Sequence, residues 1–285
     1  MFEEGIKKMD KINIRRLEVF ARHGVFEEET KLGQPFYISA ELYLDTWEAA
    51  HGDRLEASVD YGAVCHEIKA CMENRTFKLI EGAAAFLCEH LLKTYPLVRG
   101  IRIKLEKPQA PIGLPFETVW VEMERHWEQV FLSVGSNMGD REGYIRQAVE
   151  LLGKIPGIRI QALSQLVETE PYGYTQQPSF INGAIRLETF LPPHILLQKL
   201  HDIEKACCRE RIIRWGPRTL DLDLIFYGSQ VVDTEELTIP HIDMENRAFV
   251  LGPLDEIGGW FRHPVLGKTV HQLYMALKKG ERTND

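Results

Sequence analysis

The chain has 285 residues, 44% of them hydrophobic, and carries 34 Lys and Arg against 42 Asp and Glu for a formal charge of −8. That length suits two domains better than one core, and the negative balance argues against a general binder of nucleic acid or anionic membrane, whose phosphates need a basic surface. Cys65, Cys71, Cys88, Cys207 and Cys208 include no CxxC pair and read as the reduced thiols of a cytoplasmic protein. MFEEGIKKMD lacks the apolar stretch of a secretory signal and reads as a short leader, and no run is long enough to span a bilayer.

In chain order, the spacing predicts a strand from Ile12 to about Phe20, a turn-rich HGVFEEETKLGQP connection and a half-buried strand over 36–46, where apolar and polar residues alternate. Val64, Ile68, Cys71 and Met72 keep helical spacing, and a second helix runs from about Leu79 to Lys93, ahead of Tyr95-Pro96. Ile101, Ile103 and Leu105, then Val119, Val121 and Met123, alternate with polar residues on either side of KPQAPIGLP. The order ββααββ predicts an antiparallel sheet with its helices on one face.

After RHWEQ (125–129) a different rhythm begins. It comprises a strand at Val130–Val134, a helix behind an Asp140 cap, strands near 157–167 and 180–188, a helix from Pro192 to about Ala206, and a strand Leu220–Tyr227. This β-α-β-β-α-β order is ferredoxin-like, so the fold class is α+β in both halves.

The last of these strands carries Asp221 and Asp223 two positions apart. They share one face while Leu220, Leu222 and Leu224 take the other, and carboxylates that close repel unless a cation lies between them. Arg209, Arg211, Arg214 and Arg218 precede the strand, and His241 and Arg247 follow it. Acids for Mg²⁺ and arginines for phosphate oxygens suit phosphoryl transfer; a plain salt-bridge network fits the same composition. No P-loop competes, since Arg262 stands where Gly267-Lys268-Thr269 would need its earlier glycine.

RWGPRTLDLDL, with ETEPYGYTQQPSFINGA before it and IPHIDMENRAF after it, resembles 6-hydroxymethyl-7,8-dihydropterin pyrophosphokinase, in a domain set at 129–275. The resemblance implies ATP-dependent transfer of a diphosphate to the pterin hydroxymethyl group. Asp221 and Asp223 would hold magnesium, with Arg218 in a catalytic role. Arg218, His241 and Arg247 would bind phosphates, with Arg209 and Arg211 as further candidates, and Trp215 would ride on a loop that closes over the site. The pterin would lie between Phe180 and Phe249, with Asn182 at its polar edge, Thr169 and Tyr172 giving backbone contacts and Asn137 bordering the pocket. Ile242 departs from the tyrosine of many relatives.

Over residues 10–125, ARHGVFEEE, SVDYGAV, LIEGAA and LEKPQAPIG resemble dihydroneopterin aldolase. That likeness implies the tunnelling fold, whose subunits join into a ring with sites at their interfaces, and hence a homo-oligomer. Glu81, with backbone near Ile80, would anchor the pterin; Lys107 and Tyr61 would handle protons, with Glu29 tuning Lys107. A dihydropterin's own C=N bond can accept the electrons of a retro-aldol cleavage, so no cofactor is expected in this half. His23, His51, His66 and His90 show no ligand spacing. The two likenesses describe successive steps of folate biosynthesis. Rival readings are a kinase fused to a pterin epimerase or to a non-catalytic oligomerising domain, and, from another class, an RNA-binding ferredoxin-like module.

Overall fold

Alternation is strongest in QPFYISAELYL, and in the computed structural model every second residue of that stretch is buried. The structure describes residues 9–171, 176–207 and 218–282. They divide into two compact units whose boundary falls between Trp127 and Glu128.

The first unit runs β1 (Asp10–Ala21), α1 (Glu27–Leu32), β2 (Gln34–Leu44), α2 (Trp47–Gly52), α3 (Tyr61–Glu73), α4 (Ile80–Thr94), β3 (Gly100–Lys107) and β4 (Val119–His126). Its four strands pair antiparallel in the order β1-β2-β3-β4. Ile38, Ala40 and Leu42 of β2 and Ile101, Ile103 and Leu105 of β3 are buried, as are Val64, Ile68 and Met72 of α3 and Leu87 and Leu91 of α4. This is the ββααββ order expected from the sequence, in two layers.

Two short helices occupy stretches read as connections. In α1, three glutamates fill the first turn and Glu29 returns its carboxylate to the amide of Phe26, a local capping arrangement. Six residues are too few for a 3.6-residue period to show.

The second unit runs β5 (Glu128–Ser136), α5 (Arg141–Gly153), β6 (Ile158–Leu163), β7 (Val167–Thr169), β8 (Phe180–Thr189), α6 (Pro193–Ala206) and β9 (Asp221–Tyr227). A two-strand ribbon follows, β10 (Val232–Asp233) with β11 (Thr238–Ile239), then α7 (Ala248–Gly258) and α8 (Val270–Arg282). The sheet order is β6-β8-β5-β9, every neighbour antiparallel, with β7 continuing along β8 beyond β6. That is the ferredoxin-like topology. The strand expected at 157–167 is thus broken into β6 and β7.

Both faces of this sheet are covered. Leu132, Val134, Leu222 and Leu224 pack with Ile145 and Leu152 of α5 and Leu196 and Leu200 of α6. Phe131, Ala184, Ile225 and Phe226 pack instead with Val250, Leu251 and Leu254 of α7 and Leu273 of α8. A register shift between Phe131 and Leu132 lets β9 switch faces near Ile225. Ahead of it the odd-numbered residues turn toward the α7 side, and beyond it Phe226 does.

Candidate active sites

Register builds the second unit's site. Gly135 of β5 pairs with Asn182 of β8 on one side and with Asp221 of β9 on the other. Ser133 pairs with Asp223 one step along. These rows open on the α7 side of the sheet, where the packing of Phe131 and Phe226 gives way to a cavity of about 560 Å³. A Cβ on Gly135 would sit 2.8 Å from Asn182 Oδ1, so glycine there lets the Asn182 side chain lie close against β5. β9 is the edge strand, and its outer side is occupied: Leu222 N–H donates to Glu204 Oε1 of α6 at 2.8 Å and Ile225 C=O accepts from His241 N–H at 3.1 Å.

Thr169, Phe180, Asn182, Arg218, Asp221, Asp223, His241, Arg247 and Phe249 all line this cavity, so strand, loop and helix residues far apart in the chain converge as expected. Phe180 opens β8 and Phe249 lies in the first turn of α7, with Arg247 at that helix's N-cap. Asn182 Nδ2 donates to Thr169 Oγ1 at 2.6 Å. Glu170, Gln177 and Asp243 also line the cavity; Ser133 and Gly135, which join them, share the period-two spacing in SVGS that pointed to the aspartates. Tyr172, Trp215, Arg209 and Arg211 lie outside the described residues.

Asn137 is bonded to two residues of the cavity lining, Arg218 and Gln177. It is buried, its Oδ1 accepts from Arg218 N–H at 2.8 Å, and its own N–H donates to Arg218 C=O at 3.1 Å. Its Nδ2 donates to Gln177 Oε1 and Pro178 C=O, each at 3.1 Å. With its amide so occupied, Asn137 holds Arg218 and the 177–178 segment in place.

Among the described residues, the cavity lining holds more carboxylates than cations. Burial and the neighbouring Asp221 carboxylate push the Asp223 carboxyl up to about 7, against the pull of Arg218 and Arg247. Asp221 is paired with Arg218, which realises part of the salt-bridge alternative; Asp223 has no ion pair among the described residues. Burial and Arg247 lower the His241 pKa, and its buried Nδ1 has no hydrogen-bond partner among the described residues. Two hard carboxylate oxygens on one strand face, one of them protonating near neutrality, fit Mg²⁺.

In the first unit, Lys107 closes β3 and its Nζ lies 2.5 Å from Glu29 Oε1 of α1; both side chains are buried. Burial raises the Glu29 pKa, but the Lys107 contact and the amides of Phe26 and Val25 outweigh it and keep the carboxylate ionised. His23, beside them, is buried and its pKa falls to about 4 through burial and the Lys107 charge. Its Nδ1 accepts from Phe77 N–H at 3.2 Å, while among the described residues its Nε2 has no hydrogen-bond partner. The HG pair in ARHGVFEEE was the available sign of this residue. Tyr61 and Glu81 lie in the first turns of α3 and α4, Tyr61 64% exposed. Among the described residues no hydrogen bond or ion pair joins either side chain to the Lys107–Glu29 pair.

The molecule is therefore a pair of α+β units, one with an acid–arginine cavity flanked by two phenyl rings and one with a buried lysine–carboxylate pair. Residues 131–259 match the family model described as 7,8-dihydro-6-hydroxymethylpterin-pyrophosphokinase, and residues 12–124 match that described as dihydroneopterin aldolase. A Bacillus subtilis 2-amino-4-hydroxy-6-hydroxymethyldihydropteridine pyrophosphokinase is 44% identical over 127 residues, 45% of this chain and 76% of that protein. The bifunctional protein FolKE of Lactococcus lactis subsp. cremoris is 45% identical over 130 residues, 46% of this chain and 37% of that protein. The folic acid synthesis protein fol1 of Pneumocystis carinii is 31% identical over 288 residues, 94% of this chain and 38% of that protein. The chain spans little more than a third of the length of these last two. It belongs to the 7,8-dihydro-6-hydroxymethylpterin-pyrophosphokinase family and carries a dihydroneopterin aldolase family domain ahead of that one.

Proposed function

We propose that the chain catalyses two successive pterin reactions. The first unit cleaves 7,8-dihydroneopterin to glycolaldehyde and 6-hydroxymethyl-7,8-dihydropterin. The second transfers the β,γ-diphosphate of ATP to the new hydroxymethyl group and releases AMP. The observation that carries the reading is the Asp221–Asp223 pair, its inner carboxyl raised toward neutrality, facing Arg218, Arg247 and His241 in a cavity that Phe180 and Phe249 flank.

In the transfer, Asp221 and Asp223 would hold Mg²⁺, which supplies charge neutralisation at phosphate oxygens when bound. Arg218 and Arg247 offer planar donors to phosphate, and His241, neutral at pH 7, offers a ring nitrogen. The pterin ring lies between the two phenyl rings, and Asn182 reads its polar edge. Tyr172 and Trp215 are assigned contacts with the pterin and Arg209 and Arg211 contacts with the nucleotide on family likeness alone.

In the cleavage, Lys107 and Tyr61 move protons. A proton leaves the side-chain hydroxyl, the carbon–carbon bond breaks, its electrons pass into the ring C=N bond, and the carbon left on the ring is then protonated. Glu29 holds Lys107 in place, while Glu81 and the Ile80 backbone hold the pterin. On family likeness, the complete site forms between copies in a homo-oligomer. A cytoplasmic setting belongs to the same family-based reading; among the described residues no helix is long and apolar enough to cross a membrane.

The test is to incubate the full chain with dihydroneopterin, ATP and Mg²⁺. Glycolaldehyde, AMP and a pterin diphosphate are expected. ADP in place of AMP would sink the transfer, and stereoisomers without glycolaldehyde would make the first unit an epimerase.

A further inference from the structure

A second cluster of reactive side chains lies in the first unit, remote in kind from Lys107 and Glu29. Glu67 and Cys71 are one turn apart on α3, so their side chains leave the same face. α4 brings His90 to that face: His90 Nε2 lies 2.6 Å from Glu67 Oε1, and Cys71 Sγ 3.9 Å from the same oxygen. All three donor atoms fall within 4.8 Å of one another.

The donor set is chemically specific. Magnesium and calcium take oxygens alone, whereas a thiolate, an imidazole and a carboxylate together suit a borderline ion. Zn²⁺ accepts such ligands at about 2.0–2.3 Å in a tetrahedron, whose edges are then about 3.3–3.8 Å. The spacing here needs adjustments of roughly an ångström or less from that figure. The imidazole is already oriented, since the Phe86 ring stacks on it with centroids 5.5 Å apart and planes 15° from parallel, and Arg75 lies over Phe86. The groove is open, with side-chain exposures of 31% at His90 and 37% at Glu67, while Cys71 is buried. An ion can enter, and water can complete its shell.

An ordinary surface ion pair between His90 and Glu67 would account for two of the three groups and is worth little energetically. It does not involve Cys71, whose buried S–H donates to the same carboxylate oxygen and so brings a third donor group to one point. We propose that Glu67, Cys71 and His90 form a Zn²⁺ site in the groove between α3 and α4, with water as the fourth ligand. The ion ties together the two helices whose first turns carry Tyr61 and Glu81 and has no part in the proposed cleavage. Sequence spacing hid the site because His90 is 19 residues beyond Cys71 and meets it only when the helices pair.

The test uses the full chain, stripped with chelator and returned to excess Mg²⁺ so that the Asp221–Asp223 pair does not compete for the probe. Zn²⁺ and Co²⁺ are titrated into wild type, Cys71→Ser and His90→Gln. Wild type should take up one more equivalent than either variant, and its Co²⁺ form should show tetrahedral and thiolate charge-transfer absorption that Cys71→Ser lacks. Loss of a direct ligand should weaken binding by more than the ~10–100-fold that outer-shell changes cost. Zn²⁺ should raise the melting midpoint of wild type alone. Because Cys71 is buried, its serine variant also disturbs packing; His90→Gln, at the surface, isolates the ligand. No extra equivalent in wild type, no thiolate band, or unchanged uptake by His90→Gln would overturn the site.

Discussion

At the residue scale, the raised Asp223 carboxyl has a definite signature. Its folded value near 7 lies above the unfolded 3.8, so between those limits the folded protein holds a proton that the unfolded chain has lost. Metal-free stability therefore falls as pH rises through that window. Asp223→Asn removes the effect, and in chelator its advantage in melting midpoint over wild type should grow from about pH 4 to about pH 7 and then level off; parallel curves would refute the assignment. The same competition should weaken Mg²⁺ binding below about pH 7. In the first unit, Glu29→Gln leaves a buried Lys107 without its partner and should cost about 3–5 kcal/mol in chemical denaturation. Lys107→Ala should lower aldol cleavage by ~10²–10⁴-fold while diphosphate transfer stays intact, each followed by product formation. Asp221 and Asp223 were legible in the sequence because a two-residue period puts charges side by side. The partners of Asn137 were not, because Arg218 and the 177–178 segment meet it only in the fold.

Elements show the same division. β2, β3, α3 and α4 announce themselves by period. α7 does not: AFVLGPLDEIG is almost uniformly apolar, contains Pro253, and has no polar face to mark it as a helix. That missing element closes the cavity with Arg247 and Phe249 and packs tightly on the sheet. A Cβ on Gly258 would lie 2.2 Å from the Phe131 ring, so Gly258→Ala should destabilise the second unit by about 1–3 kcal/mol, read as a shifted denaturation midpoint and weaker transfer. Gly24, in the turn from β1 to α1, has φ +153°, and a Cβ there would strike the Glu29 carboxylate. Gly24→Ala should cost about 1–3 kcal/mol in backbone strain alone and displace Glu29 from Lys107, lowering cleavage without touching transfer.

For the whole molecule, separate sheets with separate cores mean that each chemistry rests on its own set of residues. Asp223→Ala should abolish transfer and spare cleavage; Lys107→Ala should do the reverse. Mixing the two variants then asks what covalent linkage accomplishes. Given dihydroneopterin, ATP and Mg²⁺, the mixture should make pterin diphosphate, because one variant supplies the hydroxymethyl pterin and the other consumes it. If the intermediate diffuses freely, the mixture should match wild type at equal concentrations of each working site, and added unlabelled intermediate should dilute label equally in both. A lag in the mixture together with protection from dilution in wild type would instead reveal transfer of the intermediate within one assembly. A mixture without product would contradict the independence of the two sites, since neither substitution touches the core that supports the other.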